Sequence, residues 1–116
     1  MVTMYKTVYR DVYVDDMTEE TREVNCAEFT TDKAHAYERL EVWSRNGQGV
    51  GVFACHFDEE FIDACKSVQG RLQHTGEFGF SLRRRIRREA REQLLPVRTN
   101  ENKRQWYDMS DYLRSL

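Results

Sequence analysis

Arg83, Arg84, Arg85, Arg87 and Arg88 fall within six consecutive positions, and Arg91 follows one helical turn later. A guanidinium is planar, permanently charged and carries five donors, so such a cluster suits carboxylates and phosphates rather than proton transfer. The residues that could hold a metal or act as a nucleophile are Cys26, Cys55, Cys65, His35, His56 and His74. Their spacing matches no zinc pattern. Cys55 and His56 are neighbours in a run that reads as a strand, so they point to opposite faces and cannot share one ion. Cys65 belongs with Phe61 and Val68 on an apolar helix face, where a thiol packs as a small hydrophobe. Asp58, Glu59, Glu60 and Asp63 open a helix, and acids are favoured there without any acid–base role. The run Gly47-Gln48-Gly49-Val50-Gly51 leaves a helix and enters a strand, the reverse of a phosphate-binding loop. No Ser-His-Asp, His-x-x-x-His or P-loop signature is present. A small metal or cysteine-dependent enzyme therefore requires the thiols and imidazoles to converge in space, and no catalytic residue, metal ligand or cofactor is assigned.

Charge is segregated along the chain. Residues 1–70 carry 7 Lys/Arg against 14 Asp/Glu, a balance of −7, while residues 71–116 carry 11 against 6, a balance of +5. Such asymmetry points to a partner, either another molecule or the other half of the same fold. The 116 residues fit one compact domain, expected to span residues 1–116. Hydrophobic content of 40% supports a core, and a single proline with six glycines argues against disorder. Three cysteines are an odd number with no Cys-x-x-Cys pair, so a disulfide scaffold is not expected. No apolar leader or membrane span is read from the sequence, which makes the cytoplasm the expected location and excludes a membrane partner.

Residues 5–14 alternate with period two and read as a strand, with Val8, Val12 and Val14 on one face and Tyr5, Tyr9 and Tyr13 on the other. Asp15-Asp16-Met17-Thr18 is a turn candidate, and residues 22–29 return antiparallel. The tyrosine stripe is expected to pack under a helix. That helix starts at Thr30-Thr31-Asp32, carries Ala36, Tyr37, Leu40 and Trp43 as its apolar stripe, and ends at Asn46-Gly47. Residues 50–57 are almost wholly apolar and predict a central strand covered on both faces, with Phe53, Phe57, Phe61, Ile62 and Trp43 as the core. A helix capped by Asp58 and closed by Gly70 follows. Residues 71–79, around His74-Thr75-Gly76, read as a loop or short hairpin. Leu82, Ile86, Ala90 and Leu94 line one side of a helix over residues 81–95, ended by Pro96. Residues 97–103 are linker-like. Trp106, Met109, Leu113 and Leu116 recur at helical spacing, a stripe that covers the chain's own core or a second copy in a homodimer. The fold class is α+β, in the order ββαβααα: a small antiparallel sheet of three to four strands with helices packed on one face.

Within the arginine helix, Arg85–Glu89 and Arg88–Glu92 are spaced for i,i+4 pairing. Arg83, Arg84 and Arg85 sit in the first turn, where the helix dipole disfavours cations by about 0.3–1 kcal/mol each. A helix selected only for stability would carry acids there. The candidate partner-binding residues are thus Arg83, Arg84, Arg87, Arg88 and Arg91. The function this predicts is non-enzymatic binding of a macromolecule, an inhibitor or adaptor that grips an acidic protein face; phage or mobile-element products aimed at host or defence factors fit this description. The alternative partner is nucleic acid, for which the same helix would supply phosphate contacts. The acidic front half opposes a backbone that wraps more than one face, which favours the protein partner.

Overall fold

The computed structural model describes residues 1–72 and 79–116. It groups into two compact units, one spanning Thr3–Cys55 and the other combining Met1–Val2 with His56–Leu116. The element order is β1 (Val2–Val14), β2 (Thr21–Thr30), α1 (Lys33–Arg45), β3 (Gly49–Phe57), α2 (Glu59–Leu72), α3 (Phe80–Leu94) and α4 (Lys103–Ser115). This is an α+β fold with a three-stranded antiparallel sheet in the order β2-β1-β3. The His74-Thr75-Gly76 stretch lies outside the described residues.

β1 and β2 form a long hairpin whose register runs from Tyr5 opposite Thr30 to Val14 opposite Thr21. With six acids and no glycine near its tip, the hairpin turns by side-chain bonding. The Asp15 carboxylate accepts from the Met17 amide at 2.9 Å and pairs with Arg22 at 3.5 Å. The Asp15 amide and carbonyl meet Glu20 and Glu19 at 2.9 and 2.7 Å, and Glu19 takes a positive φ of 57°. In the register, Tyr5, Thr7 and Tyr9 lie opposite Thr30, Glu28 and Cys26, and this face receives α1. Thr7 is buried and donates to the Ala36 carbonyl at 2.9 Å. Tyr9 stacks on Trp43 with ring centroids 3.9 Å apart. The tyrosine stripe thus packs under a helix along its inner half, while Tyr13 at its outer end is 44% exposed.

Asp32 caps α1 as expected, its carboxylate accepting from the Ala34 and His35 amides at 3.0 and 3.3 Å. At the other end the Gly47 amide donates to Ser44 and the Gln48 amide to Trp43, both at 3.0 Å, the paired bonding of a Schellman stop. Gly47 supplies the left-handed residue that this stop requires, at φ 72°. Gln48 then hands the chain to the sheet: its carbonyl accepts from the Arg10 amide at 2.8 Å, and its side chain donates to the Arg10 carbonyl at 3.0 Å.

The central strand is β1 and not β3, which corrects the expectation for residues 50–57. β3 is an edge strand on which Val50 and Phe53 are 45% and 44% exposed, so Phe53 is no core residue. An apolar run reports an unpolar strand, but position in a sheet depends on where the crossover helix delivers it. Trp43 is half-buried through its stack on Tyr9 rather than central to a core. Gly70 also differs from expectation: α2 continues through it to Leu72, which is 1% exposed.

The second unit holds the larger apolar core. Phe57, Phe61 and Tyr112 form a ring triad with centroid separations of 5.4 to 5.9 Å. Ile62, Cys65, Val68 and Leu72 of α2, Ile86 and Ala90 of α3, and Met109 and Leu113 of α4 are buried with them. The terminal stripe therefore covers the chain's own core. The segment between α3 and α4 is knit by Asn102, whose side chain bonds the Thr99 amide at 2.7 Å and the Val97 carbonyl at 2.8 Å.

A Cβ on Gly49 would overlap the Ser44 hydroxyl and come within 3.1 Å of Leu40 and of the Ser44 backbone. Gly49→Ala is expected to destabilise the chain by about 1–3 kcal/mol. Adding Ser44→Ala should recover part of that loss, measured by thermal or denaturant unfolding of the single and double variants.

Candidate functional site

α3 carries the arginines on a helix whose N-terminus has little of its own to quiet it. Its cap, Gly79, contributes no side-chain hydrogen bond, and no acid lies in the first turn. Leu82, Ile86, Ala90 and Leu94 turn inward, with Ile86 and Ala90 3% and 0% exposed. The remaining circumference is divided among three uses. Toward α2, Glu89 accepts from Arg71 and from Gln93, the latter at 3.2 Å. Toward α4, Arg87 donates to the Leu116 main-chain oxygen at 3.4 Å, and Arg91 donates to the Ser110 hydroxyl at 3.2 Å. The third side faces water. Arg83, Arg84 and Arg88 are exposed there, and among the described residues none of them makes an ion pair or a side-chain hydrogen bond.

The five candidate arginines thus separate into two groups. Arg87 and Arg91 fasten α4 to α3, which accounts for their position without an outside partner. Arg83, Arg84 and Arg88 have no such account. Arg84 and Arg88 are one turn apart, a like-charge pair that disfavours the helix by a few tenths of a kcal/mol. The expected Arg88–Glu92 pair does not form among the described residues, and Glu89 is engaged by Arg71. Arg85 is half-buried and has interactions of its own.

A second constellation lies in the Thr3–Cys55 unit, under α1. Glu28, opposite Thr7 on the helix-covered face, accepts from Nε and Nη2 of Arg39 at 2.8 and 3.1 Å and from the Trp43 indole at 3.2 Å. The Arg39 hydrogen bonds hold the Glu28 carboxyl below the usual carboxylate range. Tyr9 is shifted the other way, raised by burial and by the nearby Cys26, Glu28 and Asp11. Thr7, Glu28, Phe29, Thr30, His35 and Arg39 line a small open cleft of about 190 Å³. Sequence reading passed over this cluster, although the signal was there: Glu28 shares its strand face with Cys26, beneath the helix-facing tyrosines.

The thiols and imidazoles are distributed rather than gathered. Among the described residues no group of three or more His, Cys, Asp or Glu side chains is placed to hold a metal ion. Cys55 is buried and the adjacent His56 is exposed, as alternation along a strand requires. His35 is exposed beside Glu38 at 3.7 Å, and His74 lies outside the described residues. Burial pushes the Cys65 thiol up to about 11, away from a reactive thiolate. No described helix is long and apolar enough to cross a membrane. Compared with known proteins, the chain matches no family model, and no characterised protein or solved structure resembles it at a significant level.

Two measurements follow from these shifts. The rise of Cys65 from 9.0 to about 11 cuts its thiolate fraction at neutral pH by about a hundredfold. Alkylation of Cys65, followed by mass spectrometry, should be at least that much slower in the native than in the denatured chain. For Glu28, a carboxyl depressed in the folded state stabilises above its unfolded value and loses that contribution as pH falls through the folded one. Glu28→Gln should therefore lower stability by about 1–2 kcal/mol near neutral pH. The gap to wild type should close when unfolding is measured at about pH 3 or below.

Proposed function

We propose that this chain is a non-enzymatic protein-binding module that docks a carboxylate-bearing protein face onto Arg83, Arg84 and Arg88. One observation carries the reading: among the described residues the exposed guanidiniums of Arg83, Arg84 and Arg88 make no ion pair, on a helix whose N-terminus has no side-chain cap and no acid in its first turn. Arg83, in the first turn, disfavours the isolated helix by up to about 1 kcal/mol, and Arg84 and Arg88, one turn apart, add a few tenths by repulsion. A partner that supplies carboxylates converts that penalty into forked, charge-assisted hydrogen bonds. Arginine suits this role because its planar fork matches a carboxylate, and it is enriched where protein interfaces concentrate their energy. α2 and α4 brace the helix from two sides, so the arginines would be presented on a rigid element. The cytoplasm is the proposed setting, in keeping with Cys26, Cys55 and Cys65 not being joined in disulfides. The module would act as an inhibitor or adaptor, by occupying or bridging an acidic surface.

The test couples binding to stability. Reversing Arg83, Arg84 and Arg88 to glutamate should abolish capture of the partner in affinity purification with mass spectrometry. The same variant should unfold at an equal or higher temperature, since Arg83→Glu places an acid in the first turn and removes the cation there. Capture should survive nuclease treatment. Its loss to nuclease would transfer the arginines to a phosphate backbone, and unchanged capture by the variant would leave them a solvated face.

A further inference from the structure

The hairpin is longer than the sheet it belongs to. β3 begins beside Arg10, so residues 11–14 of β1 and their partners in β2 continue as a two-stranded ribbon. Both faces of this ribbon are open to water. Val12 and Val14 are 52% and 60% exposed on one face, Tyr13 and Val24 44% and 38% on the other, and Met17 at the tip is 92% exposed. Two-stranded hairpins are marginal in water without something to pack on. A solvated ribbon would be expected to carry threonine and lysine there; this one carries valine, tyrosine and methionine. It is also strongly acidic. Residues 11–24 hold six Asp/Glu against the single Arg22, which pairs with Asp15. Among the described residues Asp16, Glu19, Glu20 and Glu23 form no ion pair.

The same chain therefore exposes two complementary surfaces whose charges are largely unpaired among the described residues: an acidic, apolar ribbon and the Arg83, Arg84 and Arg88 face. We infer that a second copy of this chain satisfies both, the ribbon of each protomer lying along the arginine face of the other in a two-fold dimer. This rests on the reading that those arginines receive carboxylates, and it names one source of them. A two-fold arrangement makes the contact twice. Exposed valines and methionine then lie along the aliphatic stems of the arginines while the carboxylates meet the guanidinium heads. The fourteen-residue ribbon is short, so the doubled contact and its charge complementarity carry the association, which should weaken steeply with salt.

Charge exchange tests this directly. One variant carries Arg83→Glu, Arg84→Glu and Arg88→Glu; the other carries Asp16→Lys, Glu20→Lys and Glu23→Lys. In sedimentation equilibrium at low salt, wild type should dimerise and each variant alone should be monomeric, its dimerisation weakened at least about tenfold. Mixed in equal amounts, the two should form a heterodimer, because both contacts regain opposite charges. A monomeric wild type, a variant that still dimerises, or a mixture that stays monomeric would overturn the inference. If wild type is monomeric yet still captures an acidic protein through its arginines, self-docking fails and the proposed function stands.

Discussion

A carboxylate on the covered face of a sheet must find its counter-charge before a helix can lie over it, and Glu28 sets that requirement for the Thr3–Cys55 unit. Arg39 and Trp43 meet it together, and both belong to α1. Their spacing of four residues puts them on one helix face, so satisfying Glu28 fixes the rotation of α1 over the hairpin. Once that rotation is set, the Trp43 indole lies flat on Tyr9 and Ala36 comes close enough for the Thr7 hydroxyl to reach its carbonyl. The C-terminus of α1 then falls where the stop at Gly47 can pass the chain to Arg10 and start β3. A partly exposed ion pair is weak evidence of stability in general, but a bidentate pair with an added indole donor is well suited to specifying a register. The architecture of this unit follows from where one acid needed to be neutralised.

The helical unit solves the opposite problem. Its core is built from aliphatic and aromatic side chains, and polar contacts tie its helices at the rim: Arg71 of α2 to Glu89 of α3, and Arg87 and Arg91 of α3 to oxygens of Leu116 and Ser110. Stability is thereby supplied by the inner stripe and by two of the arginines. The remaining side of α3 is free to be chosen on other grounds. That division is what allows exposed cations at the positive end of a helix to persist: the fold tolerates about a kcal/mol of local disfavour because the packing beneath does not depend on it.

Most of the secondary structure was legible in the residues, because it rests on local signals. Period two in β1, the Asp32 cap, the Asn46-Gly47 stop and the i,i+4 stripes of α3 and α4 each express a constraint contained within one turn or one strand. Sheet order was not legible. Val50, Val52 and Phe53 make β3 look central, yet the strand sits at the edge, since adjacency depends on which side of β1 the α1 crossover returns to. Gly70 misled for a related reason: a glycine can end a helix, but buried Leu72 draws α2 past it. In the candidate site, the cluster was visible while its division was not. Arg87 and Arg91 are indistinguishable from Arg84 and Arg88 by charge or period, and only the placement of α4 separates them. Glu28 was hidden because an acid in a strand is ordinarily read as solvent-facing.

The open side of α3 also bears on time rather than on strength. Three cations that make no ion pair among the described residues project a field that remains appreciable over a Debye length, about 8–10 Å in physiological salt. A carboxylate-bearing surface that comes within that distance of α3 would be turned toward it before any hydrogen bond forms, which would raise the rate of productive encounter. Dissociation is governed instead by the short-range fit of whatever apolar area accompanies those charges. If the proposed partner docks there, the exposed arginines would set how quickly the complex assembles and how sharply that speed responds to ionic strength, and lifetime would be set by the rest of the contact.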